Sequence, residues 1–128
     1  MPGASSPVRV LVAEDDFVIG LELEAGLAEA GFEVVGVARS AQQALVMALA
    51  ERPALAVMDI RLAGRGDGVE AAIDIYRATG VRAIFATANQ DAEVMARAAA
   101  ARPLAWIGKP YQVEVLARLI GRVLADAA

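Results

Sequence analysis

Four short apolar runs in this chain each end on a polar residue that can handle a phosphoryl group or a metal ion. Val10-Leu11-Val12-Ala13 runs into Glu14-Asp15-Asp16, and Leu55-Ala56-Val57-Met58 runs into Asp59. Ala83-Ile84-Phe85-Ala86 runs into Thr87, and Leu104-Ala105-Trp106-Ile107-Gly108 runs into Lys109-Pro110. Lys109 is the only lysine, and the other eleven basic positions are arginine. A guanidinium cannot replace a compact, rotatable ammonium that must reach one oxygen. The ordinary role of a strand-terminal Asp is to cap a loop, but a buried carboxylate is costly unless it is paired or metal-bound. Three carboxylates, Glu14, Asp15 and Asp59, gathered at one edge would repel. They suit a hard divalent cation with oxygen ligands, Mg2+ first among them. Asp16 reads instead as a helix N-cap. Phosphoryl transfer to a carboxylate needs an oxygen nucleophile, cations on the equatorial charge and a further donor. Asp59 would attack, Mg2+ would sit with Glu14, Asp15 and Asp59, and Lys109 and Thr87 would hold the remaining oxygens.

These residues share an edge only if the runs are parallel strands, and the rest of the chain predicts that they are. Strand-length apolar runs alternate with segments of helical period, the pattern of a (βα)5 α/β fold. The first helix is expected from Asp16, with Ile19, Leu23, Leu27 and Ala30 on one stripe and Gly31 as its stop. Phe32 to Val37 forms a second strand. Ser40 with Gln43 makes a capping box before a helix facing inward through Ala41, Ala44, Leu45, Ala48 and Leu49. Pro53 closes that connection. Asp67 with Glu70 opens a third helix with a buried face of Val69, Ala72, Ile73 and Tyr76. A fourth runs over about Gln90 to Ala101 with a thin stripe of Ala92, Met95, Ala96 and Ala99, and a fifth over about Tyr111 to Asp126. Open α/β sheets bind their ligands at the carboxyl ends of the strands, where the four polar termini fall.

Composition removes other chemistries. The chain has 128 residues, a single domain's worth, and no cysteine or histidine. Thiolate chemistry, disulfides and the commonest general base and zinc ligand are thus excluded. The net charge of −4 argues against nucleic acid as the main partner. No apolar run approaches the roughly 20 residues of a membrane span, and Met1 to Pro7 does not read as a secretion signal. A cytoplasmic protein with a flexible tail over 1–7 and one domain over 8–128 is expected.

Over about residues 8 to 126 the chain resembles the receiver domain of bacterial two-component response regulators. The resemblance rests on Val10 to Asp16, on Met58-Asp59-Ile60-Arg61-Leu62 with Asp67-Gly68, on Phe85-Ala86-Thr87-Ala88 and on Lys109-Pro110. It implies a flavodoxin-like three-layer sandwich with a parallel sheet of order 2-1-3-4-5. It also implies that Asp59 is phosphorylated by a sensor histidine kinase or a histidine phosphotransfer protein. Glu14, Asp15, Asp59 and the Arg61 main-chain carbonyl would hold Mg2+, and Thr87 and Trp106 would act as the switch. The loop after Asp59 departs from the family in lacking its usual proline and looking one residue longer. Trp106 also stands where tyrosine or phenylalanine is usual. Phe85 to Asn89 resembles a variant group of single-domain receivers in stress and phosphorelay pathways.

Other classes fit less well. A hydrolase of the haloacid-dehalogenase type needs a second carboxylate two residues after the nucleophile, where this chain has Arg61. A flavin module of this fold wants a phosphate loop after the first strand, and Glu14-Asp15-Asp16 would repel phosphate. A degenerate receiver acting as a phosphorylation-independent binding module would have lost one of the five site residues. The initial Met and short tail favour a stand-alone regulator over the receiver of a hybrid histidine kinase. The expected output or self-association surface is helix four, strand five and helix five, with Val113 and Val115 outside the core stripe of Leu116, Leu119, Ile120 and Val123.

Overall fold

The computed structural model describes residues 6–64, 66–89 and 91–127. Five strands, β1 (Arg9–Ala13), β2 (Glu33–Ala38), β3 (Leu55–Asp59), β4 (Ala83–Thr87) and β5 (Ala105–Gly108), alternate with five helices. These are α1 (Phe17–Glu29), α2 (Ala41–Glu51), α3 (Gly68–Thr79), α4 (Ala92–Ala98) and α5 (Val113–Ala127). All strand pairs are parallel and the sheet order is β2-β1-β3-β4-β5, the flavodoxin-like arrangement.

The period of two along each strand sorts side chains onto two faces. Val10, Val12, Val57 and Ile84 meet Leu23 and Leu27 of α1 and Leu116 and Ile120 of α5. Leu11, Met58 and Phe85 meet Ala44 and Ala48 of α2, Val69 and Ile75 of α3, and Ala98 of α4. Burying each Leu, Ile or Phe contributes about 1.5–3 kcal/mol, and β3 and β4 are buried along their whole length. That is why they read as unbroken apolar runs rather than alternating ones.

The starts of α1, α2 and α3 follow the expected caps, and α4 is capped by Asp91, which is not among them. Asp16, Ser40, Asp67 and Asp91 each accept a hydrogen bond from the backbone N–H three residues on. The capping box is shifted, because the Gln43 side chain reaches Arg39 N–H, not that of Ser40. Gly31, at φ +101, lets Phe32 N–H return to the Leu27 carbonyl and close α1. Among the described residues Arg52 and Arg102 are the non-glycine positions with positive φ, each just before a proline, which disfavours the helical alternative.

Several faces differ from expectation. Ile19 is exposed and Gly20 is buried in its place, while Ala30 and Leu49 also face solvent. In α3 the buried isoleucine is Ile75, with Ile73 and Tyr76 half-buried. In α4 the stripe Ala92, Met95, Ala96 and Ala99 is exposed, and Val94, Ala98 and Ala101 face inward. Apart from Met95 that stripe is alanine and carries little periodic signal, so packing against α3 chooses the face. The expected start at Gln90 lies outside the described residues, as do Met1–Ser5 of the expected tail. The last turn before Arg102, Ala99–Ala101, is a 3-10 helix.

Candidate functional site

The parallel ladder carries its hydrogen bonding one step past the strand ends. Glu14 N–H donates to Ala38 O at 2.8 Å, Ile60 N–H to Ala86 O at 3.4 Å and Lys109 N–H to Thr87 O at 2.9 Å. Ala13 pairs with Met58, Asp59 with Ala86, and Thr87 with Gly108. Glu14, Asp59, Thr87 and Lys109 are therefore placed side by side by sheet register rather than by loop conformation. They border a cleft of about 570 Å3 that also takes in Asp15 and Arg61.

Asp59 is 6% exposed and Glu14 3%. Asp59 Oδ1 accepts a hydrogen bond from Arg61 N–H at 3.1 Å, and Oδ2 accepts one from Lys109 Nζ at 2.6 Å. Glu14 Oε2 accepts from Asp16 N–H at 3.1 Å, and its other oxygen lies 3.8 Å from Lys109 Nζ. Among the described residues no buried side-chain polar atom lacks a partner. One ammonium thus serves two buried carboxylates.

That is insufficient compensation. Burial, offset by the Asp16 N–H and reinforced by the Asp59 charge, raises the Glu14 carboxyl to about 7. Burial pulls Lys109 down, yet its bond to Asp59 and the charges of Asp59, Glu14 and Asp15 hold it above the ordinary lysine value. Oxygen atoms from Glu14, Asp15 and Asp59 all lie within 4.8 Å of one another. Crowded carboxylates with an excess of negative charge are a donor set for a hard divalent cation.

Thr87 lines the same cleft, but its hydroxyl donates to Asn89 O at 2.8 Å and accepts from Asn89 N–H at 3.2 Å. It is held by the β4–α4 loop. Trp106 pairs with Phe85 across the β4–β5 ladder and stacks on it, ring centroids 4.8 Å apart and 26° between planes. The Lys109–Pro110 peptide bond is cis.

The sequence profile of the response regulator receiver domain matches residues 10–121. This chain belongs to that family. The transcriptional regulatory protein PdtaR of Mycobacterium tuberculosis is 34% identical over 113 residues, covering 88% of this receiver and 55% of PdtaR. The phyllosphere-induced regulator PhyR of Methylorubrum extorquens is 32% identical over 122 residues, covering 94% of this chain and 45% of PhyR. The receiver thus spans about half the length of these curated relatives. A CheY-like receiver domain protein from Methanospirillum hungatei superposes with a TM-score of 0.87 at 27% identity, covering 94% of this chain and 96% of that one.

Sequence reasoning passed over two residues of this receiver's site. Tyr111 lies half-buried in a neighbouring pocket that Lys109 also lines, and burial with the charges of Glu14 and Asp59 pushes its phenol up to about 12, so it stays neutral. Arg39, at the end of β2, donates from its guanidinium to Asp15 O at 3.3 Å. A strand-terminal arginine in an arginine-rich chain gave no signal.

The raised Glu14 carboxyl has a thermodynamic sign. Its folded value of about 7 exceeds the ordinary 4.5, so the metal-free native state holds the proton more tightly than the unfolded chain. This stability is fully present below about pH 4.5 and is lost as pH rises through about 7. In EDTA, Glu14→Gln should flatten this part of the melting profile and, well above pH 7, melt about 3 °C or more above the parent. Parallel profiles for the two proteins would show that Glu14 carries no unfavourable charge in the fold.

Proposed function

We propose that this receiver accepts a phosphoryl group onto Asp59 from the phosphohistidine of a sensor histidine kinase or a histidine phosphotransfer protein, in a Mg2+-dependent reaction. The observation that carries the reading is the Asp59 carboxylate, buried yet facing the cleft, fixed between Arg61 N–H and Lys109 Nζ beside two further carboxylates. A carboxylate oxygen of Asp59 attacks phosphorus, and the phosphorus–nitrogen bond to the donor imidazole breaks with its electron pair returning to nitrogen. Glu14, Asp15, Asp59 and the Arg61 carbonyl would hold Mg2+, which when bound supplies positive charge against the phosphoryl oxygens. Lys109 already touches Asp59 and offers its other protons to a phosphoryl oxygen. Thr87 can join only by releasing Asn89. That exchange is the natural trigger of a two-state shift in the β4–α4 loop, with Trp106 responding on the adjacent strand.

The output face is then α4, β5 and α5. A groove of about 560 Å3 there is bounded by Trp106, Val115, Arg118, Leu119 and Arg122, and Val115 is 40% exposed. Val113 does not belong to it, because its side chain packs onto α1 at Gly26. A downstream protein or a second copy of the chain would read this face, and the kinase partner places the receiver in the cytoplasm. Among the described residues no helix is long and apolar enough to cross a membrane.

Acetyl phosphate with Mg2+ should add one phosphoryl group by intact mass and EDTA should prevent it. Beryllium fluoride with Mg2+ should shift Trp106 emission. No mass increase at any Mg2+ concentration would overturn the reading.

Lys109→Arg keeps the charge but cannot place one compact donor 2.6 Å from Asp59 Oδ2 and 3.8 Å from Glu14. Losing a charge-assisted hydrogen bond costs about 1.5–3 kcal/mol, on the order of tenfold or more in the activated population. The variant should fold and take up label, with most of the Trp106 response gone. A full response would remove the geometric argument from the lysine.

A further inference from the structure

We infer that Arg39 is a positioning residue for the acidic site, tying the loop that carries Asp15 to the loop that carries Arg61. The inference rests on the phosphoryl-accepting, Mg2+-binding reading above and deepens it. Arg39 follows Ala38, the last residue of β2, whose carbonyl holds Glu14 N–H at 2.8 Å. From that fixed point three bonds diverge. The Arg39 guanidinium donates to Asp15 O at 3.3 Å. The Arg39 carbonyl accepts from Ala63 N–H at 3.1 Å. Arg39 N–H donates to Gln43 Oε1 at 2.8 Å, which anchors the residue to the first turn of α2.

Ala63 lies two residues beyond Arg61 and forms a bridge with Ser40, the α2 cap. The loop after Asp59 is thus pinned at Arg61 N–H by Asp59 Oδ1 and at Ala63 by Arg39. Asp15 lacks such support, since it stands beyond the end of β1 and its side chain meets solvent. The guanidinium bond to its carbonyl fixes the peptide plane from which the Asp15 carboxylate is aimed at Asp59. Arginine suits this, because its planar fork spans from β2 to the β1 edge with few donor orientations to lose.

A simple charge argument predicts the opposite sign. An exposed cation beside an acidic site repels Mg2+, so removing it should tighten metal binding. Positioning predicts that removing it loosens binding, because Asp15 must be ordered by the ion itself. Titration of the intact chain with magnesium chloride by calorimetry decides between them. Arg39→Ala should weaken Mg2+ binding by about two- to tenfold, the range of one hydrogen bond, with the EDTA melting temperature unchanged. Arg39→Lys, which retains a donor of similar reach, should recover part of the loss. Gln43→Ala should weaken binding in the same direction by loosening the Arg39 backbone. Equal or tighter Mg2+ binding by Arg39→Ala overturns the inference while leaving the phosphoryl reading intact. A parent that binds no Mg2+ and takes up no phosphoryl group overturns both.

Discussion

Asp59→Asn should take up no phosphoryl group from acetyl phosphate under conditions that label the parent to near completion. The amide keeps the size and planarity of the carboxylate and still accepts from Arg61 N–H through its oxygen, so the fold is retained. It loses the nucleophile, because an amide oxygen or nitrogen does not compete with a carboxylate for phosphorus. It also loses the anionic partner of Lys109 Nζ, now 2.6 Å from Oδ2, and one of the two carboxylates that crowd Glu14. The Glu14 carboxyl, raised partly by the Asp59 charge, should therefore fall back toward its ordinary range. Uptake is read by intact mass and the Glu14 shift by NMR of the side-chain carboxyl. Label on Asp59→Asn equal to the parent's would move the nucleophile to another residue of the cleft, Asp15 being next in line.

The strand ends were legible because burial on both faces leaves an unbroken apolar run, and a polar residue closing such a run stands out. Glu14, Asp59, Thr87 and Lys109 fall at successive positions of one parallel edge because register alone puts them there. The caps were legible for a similar reason. A short side chain with an acceptor before a helical period has few other uses, and Asp16, Ser40 and Asp67 all cap as expected.

What sequence did not carry was decided by neighbours. α4 and the turn after it are rich in alanine, which gives a weak pattern, and it is packing of Val94, Ala98 and Ala101 against the α2–α3 side of the sheet that orients them. Gly20 faces inward at the level of Val37, its Cβ position 3.0 Å from that side chain. Ile19 is thereby turned outward, against its hydrophobicity. The hydroxyl of Thr87 and the guanidinium of Arg39 bond main-chain carbonyls of loops. Main-chain carbonyls are present at every position and leave no trace in side-chain pattern. Glu14, Asp15, Asp59, Thr87 and Lys109, which line the cleft, could be named from sequence, but Arg39, Tyr111 and the hydrogen-bond partners could not.

Gly68 shows how tightly the start of α3 is bound to the Asp59 backbone, and its substitution should have the largest effect on stability. A Cβ at Gly68 would lie 1.9 Å from Asp59 O, 2.8 Å from Asp59 C and 3.0 Å from Ile60 Cα. All three are backbone atoms, so no side chain can swing aside. Gly68 N–H also donates to Ile60 O at 2.8 Å, locking the start of α3 onto the end of β3. The residue is glycine because of this approach, with Asp67 immediately before it as the α3 cap. Gly68→Ala must move either α3 or the Asp59 peptide, and overpacking of this kind costs about 1–3 kcal/mol or more. Urea unfolding should place the variant at or above the upper end of that range. Phosphoryl uptake by its folded fraction should also fall, because a shifted Asp59 peptide takes the carboxylate away from Lys109. Gly80→Ala is the control. Gly80 ends α3 at φ +79 with open space around its Cβ position, so alanine there costs about 1–2 kcal/mol of left-handed strain and leaves Asp59 untouched. If Gly68→Ala unfolds with the parent, or loses stability yet accepts phosphoryl at the parent's rate, β3 and α3 are not coupled through this contact.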